Sequence, residues 1–296
     1  MNSKEILKWK EAGKLARNAL NFGKTLIQDG AAMLDVTESI ENFVFENNGE
    51  LAFPTNLAVN SVGAHWTPST KSKEIFHNGD VVKLDVGVHI DGYIGDNALT
   101  IEIGSDKYSK MIEASREALN TAIEVASPGV NVGIIGQAVQ NTIEGYGYRP
   151  IANLTGHGIK RYNLHSGVSI PSVRERGGSV LKSGDIVAIE PFVTDGAGRV
   201  GGKRNSNIYH LRQVRKIRDE KATELMMEIQ DRYHGLPFAE RWLHSIQNDA
   251  TKSLQKLIQS GVVSYYPILD ELGKGIVTQS EHTIMITNSG VEVLTA

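Results

Sequence analysis

Cysteine is absent from this 296-residue chain. That excludes disulfides, thiolate metal sites, iron–sulfur clusters and cysteine nucleophiles together, and it leaves any transition metal to histidine and carboxylates. No run of apolar residues approaches the ~18 needed to span a bilayer. The N-terminal stretch MNSKEILKWKEAGK is broken by charge every few residues and has no apolar core segment, so it does not read as a signal peptide. Neither sign of charge dominates. The 31 Lys and Arg stand against 34 Asp and Glu, a net charge of -3, which excludes a wholly basic nucleic-acid binder and a polyacidic tail. These absences predict a soluble, cytoplasmic protein. What is present is a 40% hydrophobic content, enough for a full-sized core. The 30 glycines exceed the usual ~7% share and predict many tight turns.

Residues 4–28 carry apolar positions at three- and four-residue steps (Ile6, Leu7, Ala12, Leu15, Ala16, Leu20, Leu26) and stop at Asp29-Gly30, which predicts a helix. A second helix is expected from Thr37, whose hydroxyl offers an N-cap, to Asn47-Asn48-Gly49. Strands follow at Val81–Ile90 and Tyr93–Ile103, joined by Asp91-Gly92, a strong hairpin signal. Further helices are expected over 108–126 and from Ile134 to Glu144. The pattern then repeats. Gly79-Asp80-Val81-Val82-Lys83-Leu84-Asp85 matches Gly184-Asp185-Ile186-Val187-Ala188-Ile189-Glu190 at an offset of 105 residues, and Gly30 parallels Gly129. Two long copies predict a pseudo-twofold domain and not a solenoid. Residues 203–260 break the repeat with three expected helices (219–234, 237–246, 249–260). They hold 11 Lys and Arg against 7 Asp and Glu, a net of +4. The strand pattern resumes near Ile276.

With a two-residue turn at Asp91-Gly92, Ile90 faces Tyr93, Asp85 faces Ala98 and Gly87 faces Asp96. Asp85 and Asp96 then share one face of the sheet as diagonal neighbours, about 7–8 Å apart at the backbone. Two carboxylates there repel unless a cation or proton lies between them. A solvent-washed face accounts for one strand aspartate; two on one face of otherwise apolar strands favour metal binding. By the repeat, Glu190 falls where Asp85 falls, and a pseudo-twofold would bring the three carboxylates together.

Among nine histidines, His157 lies between Gly156 and Gly158, His165 in Asn163-Leu164-His165-Ser166, and His65 in Ala64-His65-Trp66; Glu281 precedes His282. No spacing forms a local zinc signature such as H-E-x-x-H. Taken in order, however, His65, Asp85, Asp96, His157, His165, Glu190 and Glu281 make a pattern. Carried by FPTNLAVNSVGAHWTP, KLDVGVHIDGYIGDNALT, LTGHGIKRYNLHSG, VAIEPF and SEHTIMIT, it resembles that of the methionine aminopeptidases, metallopeptidases of the pita-bread fold. The resemblance runs from Phe53 to Ile286 and implies an α+β pita-bread (creatinase/aminopeptidase) fold, a pseudo-twofold antiparallel sheet covered by helices. Residues 1–202 and 270–296 would form the catalytic domain and 203–269 an inserted helical subdomain.

The resemblance also implies roles. Asp85, Asp96, His157, Glu190 and Glu281 match the family's five ligands to two divalent ions, with Asp96 and Glu281 bridging, Asp85 on one ion, and His157 with Glu190 on the other. One imidazole among oxygens favours Mn, Fe(II), Co or Zn over Ca. Such ions activate a water for attack on the first peptide carbonyl. His165 would donate to or position that carbonyl, His65 would contact the scissile amide nitrogen, and Glu190 would shuttle the proton. The substrate's α-amine would bind a metal ion, which restricts cleavage to the first residue. Phe53, Leu164 and Phe192 match positions lining the slot for the first side chain, though each is equally readable as a core residue. The 91-residue gap from Glu190 to Glu281 implies the type II class in its archaeal-like form. Asn97, where a small residue is commoner, and Ile208, where eukaryotic relatives have a pocket histidine, depart from the pattern. Implied partners are the N-terminal methionine of nascent polypeptides and, transiently, the ribosome; a monomer is expected, with no membrane and no nucleic acid. Two rivals share the fold: a Xaa-Pro aminopeptidase or prolidase, which carries a separate N-terminal domain, and a non-catalytic protein binding RNA or protein through the basic insert.

Overall fold

A computed structural model describes residues 1–296. The first half runs through α1 (Ser3–Leu26), α2 (Met33–Glu46), the short strands β1 (Glu50–Leu51), β2 (Asn56–Val59) and β3 (Val62–Ala64), then the hairpin β4 (Val81–Ile90) and β5 (Tyr93–Glu102). Asn2 and Glu5 start α1 with a reciprocal capping box, and the helix buries Trp9, Ala12, Leu15, Ala16, Ala19 and Leu20. The second helix begins four residues before the expected Thr37. Its N-terminus is satisfied by the main chain, with the Met33 N–H donating to Glu74 O at 3.0 Å, and the Thr37 hydroxyl donates back to Met33 O inside the helix. The hairpin has the expected register, Ile90 on Tyr93, Asp85 on Ala98 and Gly87 on Asp96. Its turn residues have φ 51° at Asp91 and 82° at Gly92, the left-handed pair that a two-residue turn needs.

The second half repeats the plan with α3 (Ser109–Val125), α4 (Val132–Gly145), β6 (Arg149–Pro150), β7 (Thr155–Ile159), β8 (Ser169–Pro171), β9 (Ile186–Ile189), β10 (Phe192–Thr194) and β11 (Val200–Gly201). The copies match bond for bond. Gly30 N–H donates to Phe76 O and Gly129 N–H to Leu181 O, both at 2.8 Å; Gly79 donates to Ile103 O at 2.7 Å and Gly184 to Ile286 O at 2.8 Å. Residues 205–267 add β12 (Asn205–Leu211), α5 (Glu220–Tyr233), β13 (Phe238–Ala239), α6 (Glu240–Leu243), α7 (Ala250–Gln259) and β14 (Val263–Pro267). This segment is not purely helical. Its strands form a three-stranded sheet, β13-β12-β14, and the helix expected over 237–246 is the single turn α6 after a strand. Short strands with few alternating positions leave a weak sequence signal. The segment packs its own core around Tyr209, Leu225, Ile229, Phe238 and Leu254. The chain closes with β15 (Leu269–Glu271), β16 (Val277–Gln279), β17 (Glu281–Ile286) and β18 (Val291–Val293).

The main sheet has nine strands in the order β1-β4-β5-β17-β9-β7-β8, with β2 on β4 and β18 on β17. α1 and α2 pack on the β4 side through Leu15, Ile40, Val44, Leu84 and Val88; α3 and α4 pack on the β9 side through Ala118, Ile135, Val187 and Ile189. The halves meet where β5 adjoins β17. Only two residue pairs, Glu281 with Ala98 and His282 with Asn97, are in ladder register there. Threonine hydroxyls continue the join on both sides. Thr283 Oγ1 accepts from Asp96 N–H and donates to Asp96 O, both at 2.8 Å, and Thr100 Oγ1 does the same to Gln279 N–H and O, also at 2.8 Å. No helix is long and apolar enough to cross a membrane.

Candidate metal centre

The strand registers place the acidic residues without help from loops. Asn56 faces Asp85, Asp85 faces Ala98 and Ala98 faces Glu281, so these four share one row across β2, β4, β5 and β17. His282 faces Ile189, which carries the row on to Glu190, just past β9; His157 faces Ala188, which sets Thr155 level with Glu190. Asp96 and His157 stand one side-chain step away on the same face. Gly156 and Gly158 flank His157 because a Cβ on either would collide with a carbonyl, Ala188 O or Ser166 O. Side-chain atoms of Asp96, His157 and Glu281 all come within 4.8 Å of one another. His157 Nε2 lies 3.6 Å from Asp96 Oδ2 and 3.5 Å from Glu190 Oε1, and Glu281 Oε2 accepts from Gln279 Nε2 at 3.1 Å.

Electrostatics mark this cluster as unfinished. Burial pushes the Asp85 carboxyl up to about 7. Burial, then the neighbouring carboxylates, push Asp96, Glu190 and Glu281 well above the ordinary carboxylate range. Burial, reinforced by His165, pushes His157 down to about 3, so the imidazole is neutral and a free donor to a cation. Asp85 Oδ1 and Asp96 Oδ1 are buried with no hydrogen-bond partner. Four carboxylates around one neutral imidazole, with orphaned oxygens among them, fit divalent cations: the ions supply the charge that the protein withholds and favour the ionised carboxylates.

The cluster floors a cavity of about 270 Å³. All six residues expected to act in catalysis or substrate binding (His65, His165, Glu190, Phe53, Leu164, Phe192) line the cavity, as do Asp85, Asp96, His157 and Glu281 and the departing position Ile208. His65 has φ 60°, in the left-handed region. Its Nδ1–H donates to Pro267 O at 3.3 Å, and burial lowers its pKa to about 4, so Nε2 carries a lone pair. The His165 ring lies 4.5 Å from that of His157, and burial lowers its pKa as well. Asn97 points to the opposite face of the sheet, buried, with neither amide atom partnered.

Several cavity residues were not singled out by the sequence: Asn56, Asn153, Thr155, Pro237 and Tyr266. The Tyr266 ring stands 5.2 Å from His65, 6.5 Å from His165 and 5.0 Å from His210. It sits at the far end of the 203–269 segment, where no spacing ties it to the histidines. Equally invisible was a buried ion pair between Glu41 and Arg241, 200 residues apart. Glu41 accepts from the Thr55 N–H at 3.2 Å and from Trp242 Nε1 at 2.8 Å; Arg241 donates to Thr67 Oγ1 and Pro68 O, each at 3.0 Å. One ion pair thus secures both ends of the 55–67 segment that carries Asn56 and His65.

With this geometry in place, the comparisons with known proteins agree. The model of metallopeptidase family M24 matches residues 8–288. The methionine aminopeptidase of Methanocaldococcus jannaschii is 45% identical over 286 residues, 96% of each chain. A crystal structure of methionine aminopeptidase from Thermotoga maritima superposes with a TM-score of 0.73 at 26% identity, covering 100% of this chain and 98% of that one. The structure of a thermophilic Arx1 gives a TM-score of 0.86 at 17% identity, covering 99% of this chain and 91% of that one, a likeness of fold alone.

Proposed function

This chain belongs to metallopeptidase family M24, among its methionine aminopeptidases, whose work is metal-dependent removal of N-terminal methionine, and from that premise we propose how its residues do it. Asp85, Asp96, His157, Glu190 and Glu281 hold two first-row divalent ions, drawn from Mn, Fe(II), Co and Zn. The observation that carries this is the convergence of Asp96 and Glu281 on the neutral imidazole of His157, with Glu190 3.5 Å from the same ring and an unpartnered oxygen on Asp85 and on Asp96. Up to four negative charges against two dications leave the site nearly neutral, which supports two ions over one. Bound ions of this kind supply Lewis acidity, lowering the pKa of water and polarising a carbonyl oxygen.

The chain's own groups then divide the remaining work. Glu190, whose side chain is 15% exposed against 4% for Asp96, opens onto the cavity and takes the proton of the attacking water. His165 donates a hydrogen bond to the first carbonyl oxygen as negative charge grows on it. His65 acts as an acceptor: with Nδ1–H committed to Pro267 O, its Nε2 receives the N–H of the scissile amide and turns the nitrogen lone pair toward the proton that Glu190 returns. Phe53, Leu164 and Phe192 bound an apolar slot that takes the methionine side chain, and Ile208 adds to its apolar wall. Residues 203–269 are an inserted subdomain, a reading supported by their own core and three-stranded sheet. The substrates are nascent chains, processed in the cytoplasm by a monomer in transient contact with the ribosome.

The test is hydrolysis of Met-Ala-Ser against Ala-Pro and Gly-Pro peptides, after chelation and reloading with each metal in turn. Release of methionine alone, dependent on metal, is expected. Cleavage of the prolyl peptides would favour the prolidase reading, and no cleavage with any metal would favour a non-catalytic protein.

A further inference from the structure

Each end of the ligand row carries a small polar residue, and the two ends differ. Asn56 stands on β2 opposite Asp85, and Thr155 stands on β7 level with Glu190. They are related by the internal repeat at the offset that relates Gly30 to Gly129, and both line the cavity. Thr155 is satisfied within the protein, its Oγ1 accepting from Ser169 Oγ at 3.0 Å. Asn56 is not. Its Nδ2 donates to Pro54 O at 2.9 Å, which fixes the orientation of the amide, and its Oδ1 is left buried without a donor. The residue is 5% exposed, so what completes that oxygen is a single ordered water or a group of the ligand. A buried acceptor left unmade is costly, and at a ligand cavity the missing donor is looked for in the ligand.

We propose that Asn56 is a substrate-binding residue that accepts a hydrogen bond from the α-amino group of the residue to be removed. The geometry narrows the donor. The row neighbour of Asn56 is the carboxylate Asp85, which offers no proton when ionised, and the Thr155 hydroxyl stands at the far end of the row, hydrogen-bonded to Ser169. Methionine's side chain has no N–H or O–H. The first residue of a peptide therefore brings one kind of donor only, its α-amine, because the scissile amide N–H belongs to the second residue. Asn56 is neutral, so it adds an acceptor beside Asp85 without adding a fifth negative charge. The device favours a free N-terminus over an acylated one, whose nitrogen keeps a single N–H and carries a bulky group at the same place. This inference rests on the aminopeptidase reading of the same cavity.

The test compares binding of L-methionine with that of 4-(methylthio)butanoic acid, which lacks only the amine, to the metal-loaded enzyme. Wild type, Asn56→Ala and Asn56→Leu are measured by competition against Met-Ala-Ser hydrolysis and by calorimetry, with metal content and melting temperature recorded for each. Loss of one hydrogen bond to an amine should weaken L-methionine on the order of tenfold in either variant and leave the desamino acid unchanged. KM for Met-Ala-Ser should rise with it. Equal weakening of both ligands, or of neither, would overturn the assignment, the latter showing that an ordered water satisfies Oδ1. Loss of metal in the variants would overturn it too, making Asn56 a prop for Asp85. The leucine substitution is the riskier for folding, and the alanine substitution then decides alone. Wild-type cleavage of Met-Ala-Ser tests the aminopeptidase reading separately, so its failure is distinguishable from failure of the Asn56 assignment.

Discussion

Removing the proposed metal ligand Asp85 should stabilise the metal-free fold. Asp85 has its Oδ1 buried and unpaired, and burial alone pushes its carboxyl from 3.8 up to about 7. A raised carboxyl keeps its proton in the folded chain over a range where the unfolded chain has lost it. Folding stability is therefore greatest below the unfolded value of 3.8 and falls as pH climbs through about 7. A rise of about three pH units corresponds to about 4 kcal/mol, an upper value for a residue that opens onto the cavity. Asp85→Asn keeps the shape and removes the ionisation. Without metal, the variant should melt with the wild type at pH 4 and above it at pH 8. At about 2 °C per kcal/mol for a chain of this size, the gap is up to roughly 8 °C. His65 and His157, whose lowered pKa values act in the opposite sense, are common to both proteins, while Asp96, Glu190 and Glu281, which Asp85 helps to push up, relax in the variant and widen the gap in the same direction. With Mn or Co bound, the order should reverse, because the amide forfeits the charge that holds the ion. Thermal melts after exhaustive chelation at pH 4, 6 and 8, repeated after reloading, measure all of this. A metal-free variant less stable than wild type at pH 8, or a gap that does not change with pH, would refute the reasoning.

Glu281→Gln should abolish turnover and loosen metal binding while the fold persists, since a carboxamide lacks the charge to hold two cations; near-normal activity and metal content would contradict the bridging role proposed for it. His165→Ala should cost on the order of 10²–10³ in kcat with metal retained, whereas His157→Ala should lower both, and equal metal loss in the two would make His165 a ligand. Arg241→Met leaves Glu41 buried without its cation and should destabilise by about 3–5 kcal/mol. Because Glu41 and Arg241 also hold Thr55 and Thr67, KM should rise in the folded fraction, and Glu41→Leu in the same chain should recover most of the melting temperature.

Asp85, Asp96 and Glu190 were legible because they sit on strand registers, whereas His65, His157, His165 and Glu281 came only through the family resemblance. The Asp91-Gly92 turn dictates the β4–β5 pairing, and the pairing dictates which carboxylates share a face. The seven-residue repeat then carried Asp85 onto Glu190. What stayed hidden depends on chain crossings that no local pattern encodes. The start of α2 is capped by Glu74 O and not by a side chain, so Thr37 looked like the cap it is not. The strands β12, β13 and β14 are short or irregular: β12 carries a register shift between Asn205 and Tyr209, with Asn207 at φ 65°. Tyr266 reaches the histidines only because β14 pairs with β12. Asn56 reads as one more polar residue in FPTNLAV, and only its vacant oxygen opposite Asp85 distinguishes it.

The threonine join between β5 and β17 bears on the order of events in folding. Asp96 and Thr283 lie 187 residues apart in the chain, and Thr100 and Gln279 lie 179 apart. Contacts of such separation carry the largest loop-closure entropy and form late. Within the first half, by contrast, β4 and β5 zip from a two-residue turn. Asp85 and Asp96 are thus brought together early, and His157 meets Ala188 within the second half, but Glu281 reaches Asp96 only when the hydroxyls of Thr100 and Thr283 engage. The full set of proposed ligands is therefore complete only once the two halves have joined. Divalent ions bound by the proposed ligands are therefore expected to slow unfolding and to leave the folding rate unchanged, which folding and unfolding kinetics with and without metal would measure.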